Sequence, residues 1–281
     1  MPDMSDSHMD WTALFGAEGR TAVVTGGSGE LGRAMASALA RAGARVAILA
    51  RHTDAANSVA GAIRAEGGAA IAVACDVQDR AALERSRDEV ASAFGPADIL
   101  INGAGGNSPA ATTSADQPFF DLDAAAVNQV FALNFTGTFQ ACQVFGRAMV
   151  ERGQGCIVNV TSMSALRPLT RIAAYSAAKA AVANFTQWLA VHMAREYSPN
   201  IRVNALAPGF FLTEQNRYLL TNSGGTMTPR GQAIISHTPA GRLGAPDDLA
   251  GTLLWLVSPA AAFVTGVVVP VDGGFAAFSG V

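Results

Sequence analysis

Residues 21–32 read TAVVTGGSGELG and pass from a short apolar run, through a glycine-rich turn, into helical periodicity. The run at 21–25 is apolar enough for a strand buried on both faces, and a helix is expected from Glu30 to Arg41. Gly27, Gly29 and Gly32 meet the GxGxxG spacing, which predicts a tight turn, a close backbone approach and close helix packing at this junction. Exposed amides at the start of such a helix can hold a pyrophosphate.

The same rhythm continues along the sequence. Further strands are expected at 44–50, 69–75, 97–102, 155–162 and 201–208, and a last apolar run, GVVVPVDG, closes the sheet. Between them lie a helix through Ala60 and Ile63, a helix capped by Asp79, a long helical region from Leu122 to Arg152 and a helix over 171–190. Strands that are apolar on both faces and separated by helices imply a parallel sheet covered on both sides. The fold class is therefore α/β, a doubly wound parallel sheet of the Rossmann type with helices on both faces. A single domain is expected over 19–281 after an N-terminal extension, 1–18. The longest stretch without a strand, 208–246, is expected to form a substrate loop or lid.

Composition excludes several classes of partner. Of the 281 residues 50% are hydrophobic and only 15% charged, with a formal net charge of -3 and both signs interspersed. That leaves no electrostatic footprint for nucleic acid and no basic patch for anionic lipid. No segment reads as a membrane span, and the polar, acidic opening MPDMSDSHMDWTALF lacks the pattern of a secretion signal. Cys75, Cys142 and Cys156 have no CxxC spacing and read as buried free thiols. A cytoplasmic protein with a small-molecule substrate, no metal, no nucleic acid and no membrane is expected.

The chemistry is concentrated in VTSMSALRPLTRIAAYSAAK at 160–179. Tyr175 and Lys179 are four apart and share a face if the segment is helical. An ammonium beside a phenol favours the phenolate, so the tyrosine becomes a usable acid or base. Ser162, at the end of the preceding strand, can donate a hydrogen bond to the same substrate oxygen. At the cofactor end, Arg51 follows the second strand where an NAD-selective site commonly carries a carboxylate, and it can pair with a 2′-phosphate. The cofactor is read as NAD(P), leaning to NADP, although Asp54 could still reach the ribose. Asp76, after the third strand, is a candidate acceptor for the adenine amine.

Taken in order, TGGSGELG, CDV at 75–77, NGAG at 102–105, Asn134 in ALNFTG, Ser162, Tyr175-x-x-x-Lys179 and APG at 207–209 resemble the short-chain dehydrogenase/reductase family over essentially the whole sequence. The resemblance implies that Tyr175 is the acid/base and that Lys179 binds the nicotinamide ribose and lowers the Tyr175 pKa. Ser162 orients the reacting oxygen, and Asn134 holds a water of the proton relay. It implies a cofactor site formed by Gly26, Ser28, Gly29, Leu31 and Gly32, then Asp76 and Val77, then Asn102, Ala104 and Gly105, and finally Pro208 and Gly209, besides Tyr175 and Lys179. Two positions depart from the family pattern. Glu30 stands for a glycine and is expected to point outward, with Gly29 supplying the turn. Gly103 stands for an asparagine and is expected to leave room for backbone or water.

A narrower resemblance lies in INGAGGNSPAATT, APGFFLTEQNRYLL and VDGGFAAFSGV, which are similar to the D-mannonate oxidoreductases, or fructuronate reductases, within that family. It implies interconversion of D-fructuronate and D-mannonate by a homotetramer. A sugar acid needs a carboxylate partner, for which Arg167, Arg171 and Arg217 are candidates. Asn107 and Arg217 are preferred for substrate binding, with Ser162, because they lie in these peptides. The alternatives are an oxidoreductase acting on another polyol, sugar or hydroxy acid, and a non-catalytic nucleotide-binding protein on the same fold.

Overall fold

Burial on both faces of nearly every strand sets the architecture. In the computed structural model, which describes residues 10–280, β1 (Thr21–Thr25), β2 (Arg45–Ala50), β3 (Ala69–Ala74), β4 (Ile99–Asn102), β5 (Gly155–Val160), β6 (Ile201–Pro208) and β7 (Val268–Val271) form one sheet. Its order is β3-β2-β1-β4-β5-β6-β7, and every pairing is parallel. Residues 1–9 of the expected N-terminal extension lie outside the described residues. Asp10 caps α1 (Trp11–Phe15), and Ala17 is buried.

Two helical layers cover the sheet. On one face α2 (Glu30–Arg41), α3 (Thr53–Ala65) and a late helix at Ala250–Val257 bring Leu39, Ile63 and Leu256 against Val24, Ile48 and Ile101. On the other, α4 (Arg80–Phe94), α6 (Gly137–Arg152) and α7 (Ala173–Glu196) bring Leu83, Phe145 and Leu189 against Val23, Leu49 and Leu100. Alternate residues of one strand thus feed two cores, which is why these strands read as continuous apolar runs. Asp79 accepts from the Ala81 amide at 2.9 Å and starts α4 as expected.

The long helical region is interrupted. Between α5 (Ala124–Phe131) and α6 the backbone makes a π-helical turn over Ala132–Thr136, at whose centre Asn134 is fully buried. Region 208–246 is less irregular than its sequence suggests. It carries α8 (Glu214–Leu220) and α9 (Pro229–Ser236), completing the series with α10 at Ala250–Val257. Bridges pair Phe211 with Gly244 and Thr221 with Met227, and Phe211 is buried beneath the segment.

A buried polar network stitches β4, β5 and α7 together. Asn102 Nδ2 donates to Asn159 Oδ1 at 2.8 Å and lies 3.2 Å from Cys142 Sγ, while Asn159 Nδ2 donates to Thr186 Oγ1 at 2.9 Å. Burial pushes the Cys142 thiol up to about 12, so it stays protonated within this network. Among the described residues no helix is long and apolar enough to cross a membrane, and no group of three or more His, Cys, Asp or Glu side chains could hold a metal ion.

Asn159→Ala removes the acceptor of Asn102 and the donor to Thr186 at once. It is expected to destabilise the fold by about 2 kcal/mol. Urea denaturation read at constant m-value checks this; an unchanged midpoint would remove the network from the stabilising contacts.

Candidate active site

Every candidate residue at a strand end lies at the carboxyl edge of the sheet, around the point between β1 and β4 where the strand order reverses. The turn after β1 is made by Gly26, at φ 65, and not by Gly29, which is extended at φ -72. A Cβ on Gly26 would meet Ala104 Cα at 2.7 Å, and one on Gly32 would meet Gly26 O at 2.2 Å. The spacing rule therefore placed the turn too late: the left-handed residue is the one closest to the strand, where the backbone must reverse under the 102–105 loop. The amides of Ser28, Glu30 and Leu31 have no hydrogen-bond partner among the described residues. Free donors at the start of α2 fit a dinucleotide pyrophosphate.

The remaining cofactor candidates surround this turn. Arg51 is exposed beyond β2 with no ion pair among the described residues, and Asp76 accepts from the Gln78 amide at 3.0 Å. Val77 is buried against Gly137. Ala104 donates its amide to Thr25 Oγ1 at 3.2 Å. Gly105 is held so close to the catalytic groups that a Cβ would lie 2.6 Å from Asn134 Oδ1 and 2.9 Å from Lys179 Nζ. Pro208 ends β6, and the Gly209 amide donates to Val271 O at 2.9 Å. Asn102 differs from the rest. Its side chain is spent inside the sheet, so only its backbone can face the groove. At Gly103 backbone takes up the room, since a Cβ there would lie 2.8 Å from Thr25 O.

The three chemical groups converge as β5 gives way to α7. Ser162 Oγ accepts from the Ser164 amide at 3.1 Å, which fixes the oxygen and leaves its own hydrogen to donate, and its hydroxyl lies close enough to Tyr175 to lower that group's pKa. One turn further along α7, Lys179 Nζ donates to Val160 O at 2.8 Å and sits 5.7 Å from the centre of the Tyr175 ring. Asn134 Nδ2 donates to Gly106 O at 2.7 Å, and its Oδ1 accepts from the Gly106 amide at 3.1 Å, so it clamps the loop that carries Gly105. Thr161 was not singled out in the sequence, yet its Oγ1 donates to Lys179 O at 2.7 Å and locks α7 to β5. Its neighbour Ser162 was the only sequence signal available.

The model of the short-chain dehydrogenase family matches residues 20–223. The protein belongs to that family. It is 52% identical over 272 residues, 94% of this chain and 97% of the other, to an uncharacterised oxidoreductase, UxuB, of Bacillus subtilis. A solved structure of a Haemophilus influenza protein, provisionally called a D-mannonate oxidoreductase and holding NAD, superposes with a TM-score of 0.89 at 42% identity, over 96% of this chain and 99% of that one. A gluconate 5-dehydrogenase of Burkholderia cenocepacia, in complex with NADP and tartrate, superposes with a TM-score of 0.84 at 33% identity, over 95% of this chain and 98% of that one. This short-chain dehydrogenase is thus an NAD(P)-dependent oxidoreductase.

The substrate candidates are more scattered. Asn107 is exposed and donates to Thr112 Oγ1 at 2.9 Å within its own loop. Arg217 is exposed on α8, and among the described residues no hydrogen bond ties it or Asn107 to Ser162 or Tyr175. Arg167 donates Nε to Ala276 O at 3.1 Å, which places the C-terminal segment beside the loop following Ser162. Arg171 adopts φ 75, and its carbonyl accepts from the Thr113 amide at 2.9 Å.

Electrostatics depart from the expectation that Lys179 lowers the Tyr175 pKa. Burial pushes Tyr175 up, with the Ser162 hydrogen bond opposing it, and burial pulls Lys179 down to about 8. Desolvation penalises the charged form of each group and is the largest cause of both shifts. The sign for Lys179 follows directly: the unfolded lysine keeps its proton to higher pH than the folded one, so this group adds stability as pH rises from about 8 towards 10.5. Lys179→Met should abolish that contribution. The difference in unfolding free energy between the cofactor-free wild type and the variant is expected to grow in favour of wild type by about 1 kcal/mol per pH unit over this window. Parallel urea titrations at several pH values measure it; a pH-independent difference would contradict the buried amine.

Proposed function

We propose that this short-chain dehydrogenase interconverts a sugar-acid ketone and its alcohol, D-fructuronate and D-mannonate, with Tyr175 as acid/base, Ser162 orienting the reacting oxygen and Lys179 supporting the tyrosine. The observation that carries the reading is Tyr175 set beside Ser162 and one helical turn from Lys179, whose Nζ lies 5.7 Å from its ring centre, at the cofactor edge. When bound, the nicotinamide cofactor supplies or accepts the hydride. For reduction, Tyr175 hands its proton to the carbonyl oxygen while the Ser162 hydroxyl donates to the same oxygen, so two directed bonds meet the developing negative charge. In the reverse direction the same pair takes the alcohol proton. The sugar-acid reading is supported by the likeness to UxuB and to the Haemophilus protein, and by the exposed guanidinium groups of Arg167 and Arg217 on the segments flanking the site.

The reading extends to cofactor, assembly and compartment. A preference for NADP is supported by exposed Arg51, which has no acidic partner among the described residues. A homotetramer is supported by the outer face of α6 and α7. There Trp188 and Tyr197 are exposed around a groove of about 550 Å³, Val191 is exposed on the same helix, and Trp188 stacks on His192 at 4.7 Å. This groove lies about 20 Å along α7 from Tyr175 and is not the substrate pocket. Three buried, unpaired thiols suit the reducing cytoplasm.

Turnover of D-fructuronate and D-mannonate with NAD(H) and NADP(H), against uncharged ketoses and polyols, tests the substrate. The charged pair should win in kcat/KM by at least about tenfold; equal values for an uncharged ketose would sink the carboxylate subsite. Tyr175→Phe should lose about a hundredfold or more in kcat while binding NADPH much as the wild type does, by fluorescence titration. Retained turnover would end the assignment of the acid/base. Arg51→Ala should erase any preference for NADP, and a preference that survives it would have another origin.

A further inference from the structure

The side chain of Glu30, at the start of α2 beside the free amides of the pyrophosphate site, has no part in the chemistry above. Its carboxylate points neither into that site nor simply to solvent. Glu30 Oε2 accepts from the backbone amide of Glu214 at 2.7 Å, and Glu214 is the first residue of α8, 184 positions away. This is a short, charge-assisted bond across the mouth of the cofactor groove.

The rest of the α8 N-terminus is bonded within its own segment. Asn216 Oδ1 accepts from the Thr213 amide at 2.9 Å, and Asn216 Nδ2 donates to Phe211 O at 2.7 Å. The base of the segment is fixed on the opposite side, where the Gly244 amide donates to Phe210 O at 2.8 Å and the Gly209 amide donates to Val271 O at 2.9 Å. Among the described residues, Glu30 is the only hydrogen-bond link between α2 and the 208–246 segment. Without it, α8 keeps among those residues only hydrogen bonds within its own segment, at its base and at its far end, where the Thr228 amide donates to Leu220 O at 2.9 Å and Thr228 Oγ1 to Leu219 O at 2.7 Å.

We propose that Glu30 is a positioning residue for the lid: it holds α8 over the dinucleotide groove and couples the placement of the lid to occupancy of that groove. The coupling has a physical source. Phosphates seated on the Ser28, Glu30 and Leu31 amides bring negative charge next to the Glu30 carboxylate, and like-charge repulsion favours the rotamer turned away, towards Glu214. Cofactor binding thereby strengthens the contact that draws α8 down, and by linkage a lid held by Glu30 and a bound dinucleotide favour each other. The substrate side gains because α8 carries Arg217.

Amide hydrogen exchange over residues 212–221, with and without saturating NADPH or NADH, tests this without any need for the substrate. In the wild type the cofactor should slow exchange there. Glu30→Ala should exchange about tenfold faster in the free enzyme and lose most of the cofactor-induced slowing. Glu30→Gln keeps an acceptor oxygen of nearly the same shape but not the charge, so it should match wild type in the free enzyme while showing a smaller cofactor effect. With D-fructuronate as substrate, Glu30→Ala should raise KM about fivefold or more with kcat changed far less, and Glu30→Gln should restore KM. Exchange in Glu30→Ala equal to wild type, or Glu30→Gln exchanging as fast as Glu30→Ala in the free enzyme, overturns the proposal. Should Glu30→Ala not fold, the cofactor effect in Glu30→Gln decides the matter, since an undiminished effect denies any role to the charge. Absence of fructuronate turnover in all three proteins refutes the substrate reading and leaves the exchange result standing.

Discussion

A lysine amine sealed beneath the junction of β5 and α7 is the contact on which the active site depends. Lys179 Nζ is satisfied by Val160 O at 2.8 Å, and its backbone carbonyl accepts from Thr161 Oγ1 at 2.7 Å, so side chain and main chain both tie the helix to the strand end. Those two bonds fix the rotation of α7 about its axis. Tyr175, four residues earlier on the same face, is thereby brought beside Ser162 by the placement of the helix. Gly105 completes the enclosure, because only a residue without Cβ can bring the 102–105 loop against both Lys179 and Asn134.

Burial has a cost that shapes the chemistry. A desolvated amine whose pKa falls to about 8 is less reliably charged near neutral pH than a surface lysine, and a desolvated phenol resists ionisation. Burial thus disfavours storing charge on either group in the resting enzyme, which suits the proton-transfer role proposed for Tyr175. Ser162 fits that view. Its oxygen is pinned by the Ser164 amide, and its hydroxyl opposes the upward push on Tyr175.

The sequence was legible wherever one physical demand dominated. Strands buried on both faces cannot hide their apolar runs, and β1, α2 and β6 lie over the stretches read for them. The glycine-rich turn was legible as a turn but not in detail. Motif spacing counts glycines, whereas the backbone required one only where φ is positive, at Gly26, and where a Cβ would strike a carbonyl, at Gly32. At Gly103 the missing side chain was legible as room for backbone, and Thr25 O takes it up. The two helices of the 208–246 segment were obscured by Pro229 and by glycine-rich stretches between them, although Thr228 supplies a side-chain cap for α9. Glu30 and Glu214 lie 184 positions apart, and no local pattern reports a bond of that reach.

A division of labour explains why reaction type is easier to read here than substrate. Ser162, Tyr175 and Lys179 project from a strand end and a 24-residue helix whose orientation is enforced by the core around Phe185 and Leu189 and by a smaller cluster around Ala174, so their residue types and spacing suffice to predict their geometry. Arg217 stands on a seven-residue helix, Arg167 on a loop steadied by a single bond to the C-terminal segment, and Asn107 on a loop bonded to itself. Short helices take their position from tertiary contacts, because propensity alone cannot hold them. Where such groups sit relative to a bound ligand is decided by a few hydrogen bonds and not by a packed core. On the proposed reading, selectivity turns on the contacts that place α8 and the C-terminal segment as much as on the side chains they carry.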